Sequence, residues 1–223
     1  MKKLLIPIAF LFILPFSFSC GNLNKLNLSQ ADAALAIRQL LELGTRDGVR
    51  GSFTQQAIME TLFPEPIRKT LSTLQQIGLS GEIDRFTNTL AIASEKAADR
   101  SIPIFLRAID NLSFTDALSI IRNGGTAATD YLKTTTGSEV RHSITPVMKE
   151  ALDEYKLNEQ WDKLMKPAQT LAGNKLNLDL ANLMAGLVTQ KMFEKIGEKE
   201  RLVRTNISYR TTPLLQKAFS KVW

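Results

Sequence analysis

His142 is the single histidine of the chain and Cys20 its single cysteine. A Ser-His-Asp triad would have to be built on His142, and a zinc site of the common histidine or cysteine type lacks ligands. No disulfide can close within the chain. His142 stands between Arg141 and Ser143 beside a helical stripe, the setting of a surface or capping histidine. No Gly-x-Ser-x-Gly nucleophile elbow occurs. Carboxylates that could divide acid and base work are Glu82 with Asp84, Glu95 with Asp99, and Asp110 with Asp116. These pairs are close in sequence, and each is equally well placed on a solvated helix face.

Two further segments could hold a ligand. Exposed amides at a helix start favour an anion, and Gly124-Gly125 followed by a helix from about Thr126 lays out such a start, with the hydroxyls of Thr129 and Tyr131 nearby. No lysine follows the glycines as a phosphate loop requires, so nucleotide binding is not implied. Arg210-Thr211-Thr212 sets a guanidinium beside two hydroxyls, a grouping suited to carboxylate or phosphate. Each segment also has a structural explanation. A glycine ends one helix and a threonine caps the next, while Thr212 caps a helix with Pro213 in its first position and Arg210 pairs with an acid elsewhere. The candidate anion or ligand site is therefore Gly124, Gly125, Thr126, Thr129 and Tyr131, joined by Arg210, Thr211 and Thr212 if the fold brings the two segments together. No cofactor and no metal is expected.

Cys20 has its own context. Lys2 and Lys3 form a basic start, and the run from Leu4 to Phe18 is apolar apart from Pro7, Pro15 and Ser17. That run is shorter than the roughly 20 apolar residues a transmembrane helix needs and is interrupted by prolines, so it reads as a signal peptide. The arrangement resembles a bacterial lipobox: small Ser19 fits the cleavage position, although Ser17 stands where leucine is usual. The expectation is that residues 1–19 are removed and that Cys20 is acylated with two or three chains, each buried CH₂ contributing about 0.8 kcal/mol of anchoring. Gly21 rather than aspartate after the cysteine points to the periplasmic face of the outer membrane. Gly21 to Leu28 reach at most roughly 29 Å, which keeps the following domain near the lipid.

Cleavage leaves 204 residues with a formal charge of +4, since only Lys2 and Lys3 are lost from the +6 of the whole chain. Basic and acidic residues are mixed along the sequence rather than clustered, so no nucleic-acid partner is expected. The length suits one domain.

The elements that must position these residues are helical. Ala34, Ile37 and Leu41 step by three and four after a Ser29 cap, and Ile67, Leu71 and Leu74 do so between Pro64-Glu65-Pro66 and Gly78. Ile83, Phe86, Leu90, Ala93 and Ala97 resume as Ile104, Phe105, Ala108 and Leu112, with Pro103 marking a break or kink. Ser113 with Asp116 suggests a cap for a short helix ended by Gly124, and another helix runs through Tyr131. Val140, Ile144, Val147, Met148, Ala151 and Tyr155 share a face, although Pro146 is also a suitable helix start. Trp161, Leu164, Met165 and Ala168 follow. Leu180, Met184, Leu187, Met192 and Ile196 form the last long stripe, whose outer face pairs Glu198 with Arg201 and Glu200 with Arg204 as a solvated charge run. Thr212-Pro213 opens a terminal helix with Leu215, Ala218, Phe219 and Val222 inward. Strand-type alternation is absent. The expected fold is all-α: a single domain at 29–223 forming an irregular multi-helix bundle, behind a signal peptide at 1–19 and a lipidated tether at 20–28.

Four segments carry a family resemblance: Leu62-Phe63-Pro64-Glu65-Pro66-Ile67, Ile102-Pro103-Ile104-Phe105, Asn123-Gly124-Gly125-Thr126-Ala127-Ala128-Thr129-Asp130-Tyr131, and Arg210-Thr211-Thr212-Pro213-Leu214-Leu215. On these the chain resembles the bacterial family known as domain of unknown function 4197. The resemblance implies a helical envelope protein behind a signal peptide and carries over no catalytic residue. The leading functional expectation is a lipid-anchored, non-enzymatic protein that binds an envelope protein or has a structural role. The alternatives are a carrier or sensor of a small apolar or lipid-like ligand, which requires an apolar cavity of several hundred Å³, and an enzyme using paired carboxylates.

Overall fold

A computed structural model describes residues 28–47, 51–172 and 179–220. The segment expected to be a signal peptide, Cys20, most of the expected tether and Val222 lie outside the described residues, as does the side chain of Ala168. The order is α1 (Gln30–Asp47), α2 (Gln55–Thr61), α3 (Glu65–Leu74), a π-type turn (Gln75–Leu79), α4 (Ser80–Asp110), α5 (Ala117–Asn123), α6 (Ala127–Glu154), α7 (Leu157–Ala172), α8 (Leu180–Thr205), a 3₁₀ turn (Ile207–Tyr209) and α9 (Pro213–Phe219). The fold is all-α, with no strand among the described residues.

Local chemistry sets the ends. Ser29 Oγ accepts from Asp32 N at 3.0 Å to start α1, and Thr54 and Asp179 do the same for α2 and α8. Asp116, not Ser113, caps α5 by accepting from Ser119 N, while the Ser113 carbonyl accepts the Tyr131 hydroxyl at 2.7 Å. Gly78, at φ 99°, makes the corner between α3 and α4 that only glycine adopts easily. Leu28, placed in the tether by the sequence, belongs to the core at 9% exposure.

Neither Pro103 nor Pro146 breaks a helix: α4 and α6 each run unbroken through their proline. Both prolines, and Pro167 in α7, are exposed. The carbonyl each one leaves unpaired, four residues earlier, therefore faces solvent rather than the core.

The helices bury a continuous core. At one end Trp161 of α7 stacks on Phe63 at 5.7 Å and contacts Phe86 of α4 at 5.5 Å, and at mid-body Phe105 meets Phe193 edge-on at 5.3 Å. Glu154 ties α6 to α4 by accepting from Lys96 and Arg100. Gly44 lets α1 lie against α8: a Cβ there would sit 3.0 Å from the Cα of Ile196. Polar side chains enter the core mostly by bonding to their own helix. Thr45, Thr87, Ser94, Ser101, Thr136 and Thr189 each donate to the carbonyl four residues back at 2.6–2.8 Å. Two buried polar residues do not follow this pattern, Thr129 and Glu200.

Candidate functional site

Glu200 is 0% exposed. A buried carboxylate is tolerated only when donors surround it, and Glu200 collects them from two directions. Oε1 accepts from Ala128 N at 3.0 Å, and Oε2 accepts from Thr129 N at 2.8 Å and Thr129 Oγ1 at 2.6 Å. Arg204, one turn further along α8, donates to Oε1 from Nε at 2.9 Å and from Nη2 at 2.7 Å. The guanidinium then donates to the Ile121 and Ile120 carbonyls at 2.7 and 3.1 Å and lies 5.0 Å from the Phe219 ring centre. Glu200 thus caps the start of α6, and Arg204 caps the end of α5. The Gly124-Gly125 corner between them has φ values of 68° and 56°. The anion at this helix start is the protein's own side chain.

The solvated charge run read for this part of α8 needs correction on two counts. Glu198 pairs with Lys195 at 2.8 Å, not with Arg201, and the Glu200–Arg204 pair is interior. The signal was present in the spacing. Met192, Ile196, Glu200 and Val203 fall on one helical face, so Glu200 occupies an apolar stripe position.

The other sequence-derived site residues are placed as follows. Thr126 stands at the start of α6, but its hydroxyl donates to Asp130 Oδ2 at 2.9 Å. Tyr131 lies against Phe114, ring centres 5.6 Å apart. Among the described residues no acid pairs with Arg210; it donates to the Val203 and Arg204 carbonyls, both at 2.9 Å, closing the end of α8. Thr212 caps α9 by accepting from Leu215 N and donates to Gln39 Oε1 of α1 at 2.9 Å. Thr211 is exposed. The two segments are therefore linked through α8 rather than joined around a shared opening. His142 is exposed. Of the carboxylate candidates, Asp84 accepts from Gln55, Glu95 from Gly51 N, and Asp110 lies 3.9 Å from Arg38. Among the described residues no three His, Cys, Asp or Glu groups cluster as for a metal, and no helix is long and apolar enough to cross a membrane.

One opening with room for a ligand was not read from the sequence. It is a groove of about 740 Å³ between α6 and α8 that runs from Thr126 and Arg201 at one end to Arg141 and Gly186 at the other. The helices are antiparallel along it, because Thr126 faces Gly197, Gly137 faces Phe193 and Arg141 faces Gly186. Glycine makes the groove: Gly197 admits Thr126 where a Cβ would meet its methyl at 3.3 Å, and the Arg141 guanidinium rests 3.4 Å from where a Cβ on Gly186 would be. Interior glycines in helical patterns were the available clue.

The lining mixes charged and hydroxyl side chains with apolar surface such as Phe193, and the groove is open to solvent rather than the enclosed apolar cavity a lipid carrier requires. Its acids are already engaged. Partial burial pushes the Glu194 carboxyl up, but hydrogen bonds from Lys191 and Gln190 and the charges of Lys191 and Lys133 outweigh this and hold it below its ordinary value. Glu198 is tied to Lys195, and Asp130 accepts from Thr126. The lining cations match these acids in number, and the charge of Lys133 acts on Glu194. Arg141 donates to the neutral Asn182 side-chain oxygen at 3.0 Å and its backbone carbonyl at 3.3 Å, and Lys133 and Arg201 are exposed.

No curated protein and no solved structure matches this chain. A family model described as protein of unknown function, DUF4197, matches residues 27–220, which takes in α1 to α9, the Glu200 node and the groove, and the chain belongs to that family.

Proposed function

We propose that this protein is held to the envelope side of a bacterial membrane by lipid on Cys20, facing the periplasm, and that its helical domain binds a partner protein without catalysing a reaction. The observation that carries the binding role is the α6–α8 groove. It is open and long, and the carboxylates on its walls are bonded to neighbouring side chains. The buried acid beside it, Glu200, is saturated by donors and supports the fold. The anchor rests on the residues around Cys20 and on the brevity of the segment joining it to Leu28.

Two measurements test this. Labelled palmitate should enter the wild-type chain and not Cys20→Ser, which should shift to the soluble envelope fraction. A photo-reactive residue at Ser138 or Gln190, on the groove, should cross-link a discrete envelope protein. Unchanged membrane retention in Cys20→Ser would overturn the anchor, and the absence of any protein adduct from positions in the groove and on the remaining surface would overturn the binding role.

A further inference from the structure

One end of the domain holds both the point where the chain enters and most of the exposed apolar side chains. Leu28 is buried and Ser29 caps α1, so the segment from Cys20 enters at a fixed place. Gln30 donates to the Thr115 carbonyl and accepts from Leu118 N, and Arg38 donates to the Asp110 and Leu112 carbonyls. The start of α1 is thereby set against the end of α4 and the start of α5. Arg204 donates to the Ile121 and Ile120 carbonyls of the short α5, which brings the end of α8 to the same end of the body. Among the described residues the large exposed apolar side chains are Leu35, Ile77, Ile92, Leu202 and Ile207. Leu35 is in the second turn of α1, Leu202 in the last turn of α8, and Ile207, the most exposed at 69%, just beyond it. Ile77 precedes α4, whose 31 residues place it about 46 Å from the end of that helix.

We propose that this end, formed by the start of α1 and the end of α8, docks on the lipid surface, seating Leu202 and Ile207 at headgroup depth and holding the α3–α4 corner farthest away. The inference rests on the Cys20 anchor. Gly21 to Leu28 span at most roughly 29 Å, less than the length of α4, so the entry point stays within reach of the headgroups. Tethering turns docking into an intramolecular event, for which a weak surface affinity is enough. The boundary between headgroups and acyl chains takes apolar side chains without requiring a matched shape. Exposed leucine and isoleucine at the tethered end meet that condition.

The test uses the full lipidated chain in vesicles of phosphatidylethanolamine and phosphatidylglycerol that carry a short-range nitroxide quencher on the headgroup. A thiol-reactive fluorophore is placed on Ile207→Cys, Ile77→Cys or Thr115→Cys, all at exposed positions. An acylated Cys20 leaves only the introduced thiol to react, and the wild-type chain is labelled as the control. The Ile207 probe should be strongly quenched and the Ile77 probe should keep its fluorescence. Leu202→Ser with Ile207→Ser should cut the quenching of the Thr115 probe by about half or more, because losing two apolar contacts lowers the ratio of seated to free bodies on the order of tenfold. Equal quenching at Ile207 and Ile77 overturns the proposal, as does an unquenched Ile207 probe, which would leave these side chains for a protein partner. Quenching at Thr115 unchanged by the double substitution overturns it too, since the tether alone would then set the distance. Those results leave the anchor standing, whereas uptake of the fluorophore by the wild-type chain reveals a free Cys20 and overturns the anchor and the docking together.

Discussion

Glu200 and Arg204 lie one turn apart on α8 and bond to each other at 2.7 Å, yet they serve different helices. The carboxylate completes the open amides of α6, and the guanidinium completes the open carbonyls of α5. A helix start carries partial positive charge and a helix end partial negative charge. The pair therefore presents each charge to the backbone end of opposite sign, and the Gly124-Gly125 corner is fixed from the side by α8.

Removing one member of a buried pair costs about 3–5 kcal/mol, because the other is left uncompensated. Glu200→Ala should lower the melting temperature by about 10 °C or more for a body of this size. Glu200→Ala with Arg204→Met should lose less than the two single losses combined. Calorimetry of the four proteins measures the coupling, and strict additivity would contradict it.

Glycines at helix contacts should divide by what a methyl would meet. Gly44→Ala drives a Cβ to 3.0 Å from the Ile196 backbone, which cannot swing aside, and should cost about 1–3 kcal/mol. Gly137→Ala places its Cβ 3.7 Å from Phe193, an ordinary contact within a long helix, and should gain about 0.5–1 kcal/mol. Urea midpoints moving in opposite directions would bear this out.

At the corner, Gly124 combines φ 68° with ψ −161°, a region essentially restricted to glycine, whereas Gly125 at φ 56° lies in the range asparagine also visits. Gly124→Ala should cost about 1–3 kcal/mol and Gly125→Asn less than 1 kcal/mol. Nothing lies within 4 Å of either added Cβ, so a clash of that atom contributes to neither cost.

Acid should open the contact between α1 and α9. The hydrogen bond from Lys217, 2.8 Å from Asp32, holds the Asp32 carboxyl below its ordinary value, with its charge adding to the effect and burial opposing it. A lowered folded value means the stabilisation is complete above the ordinary aspartate range of about 4 and is lost as pH falls through the folded value. Asp32→Asn should therefore melt below wild type at pH 7, and the gap should close as the pH is taken below the ordinary aspartate range.

Helix positions and facing were legible because apolar spacing survives in single residues such as Ile37, Leu71 and Leu90, all buried here. The prolines left continuous and divided helices equally open because exposure is not written in their spacing: Pro103 and Pro146 sit where water can meet the freed carbonyl. The i to i+4 pairing of Glu200 with Arg204 was readable, and its burial was not. That depends on which helix covers α8, and the charged neighbours Glu198 and Arg201 suggested solvent. Gly124, Thr126 and Thr129 were read as a helix start that could hold an anion or merely turn and cap the chain, and the carboxylate found there comes from 71 residues away. The groove was missed for the same reason, since its two walls meet only in three dimensions.

The Lys217–Asp32 contact sits where the described chain begins, and Gln30 beside it donates to the Thr115 carbonyl at 2.7 Å and accepts from Leu118 N at 3.3 Å. The first helix is thus buckled at its leading turn to α9 and to the start of α5. Any tension arriving through the residues ahead of Ser29 meets these fasteners before it can peel α1 from α8.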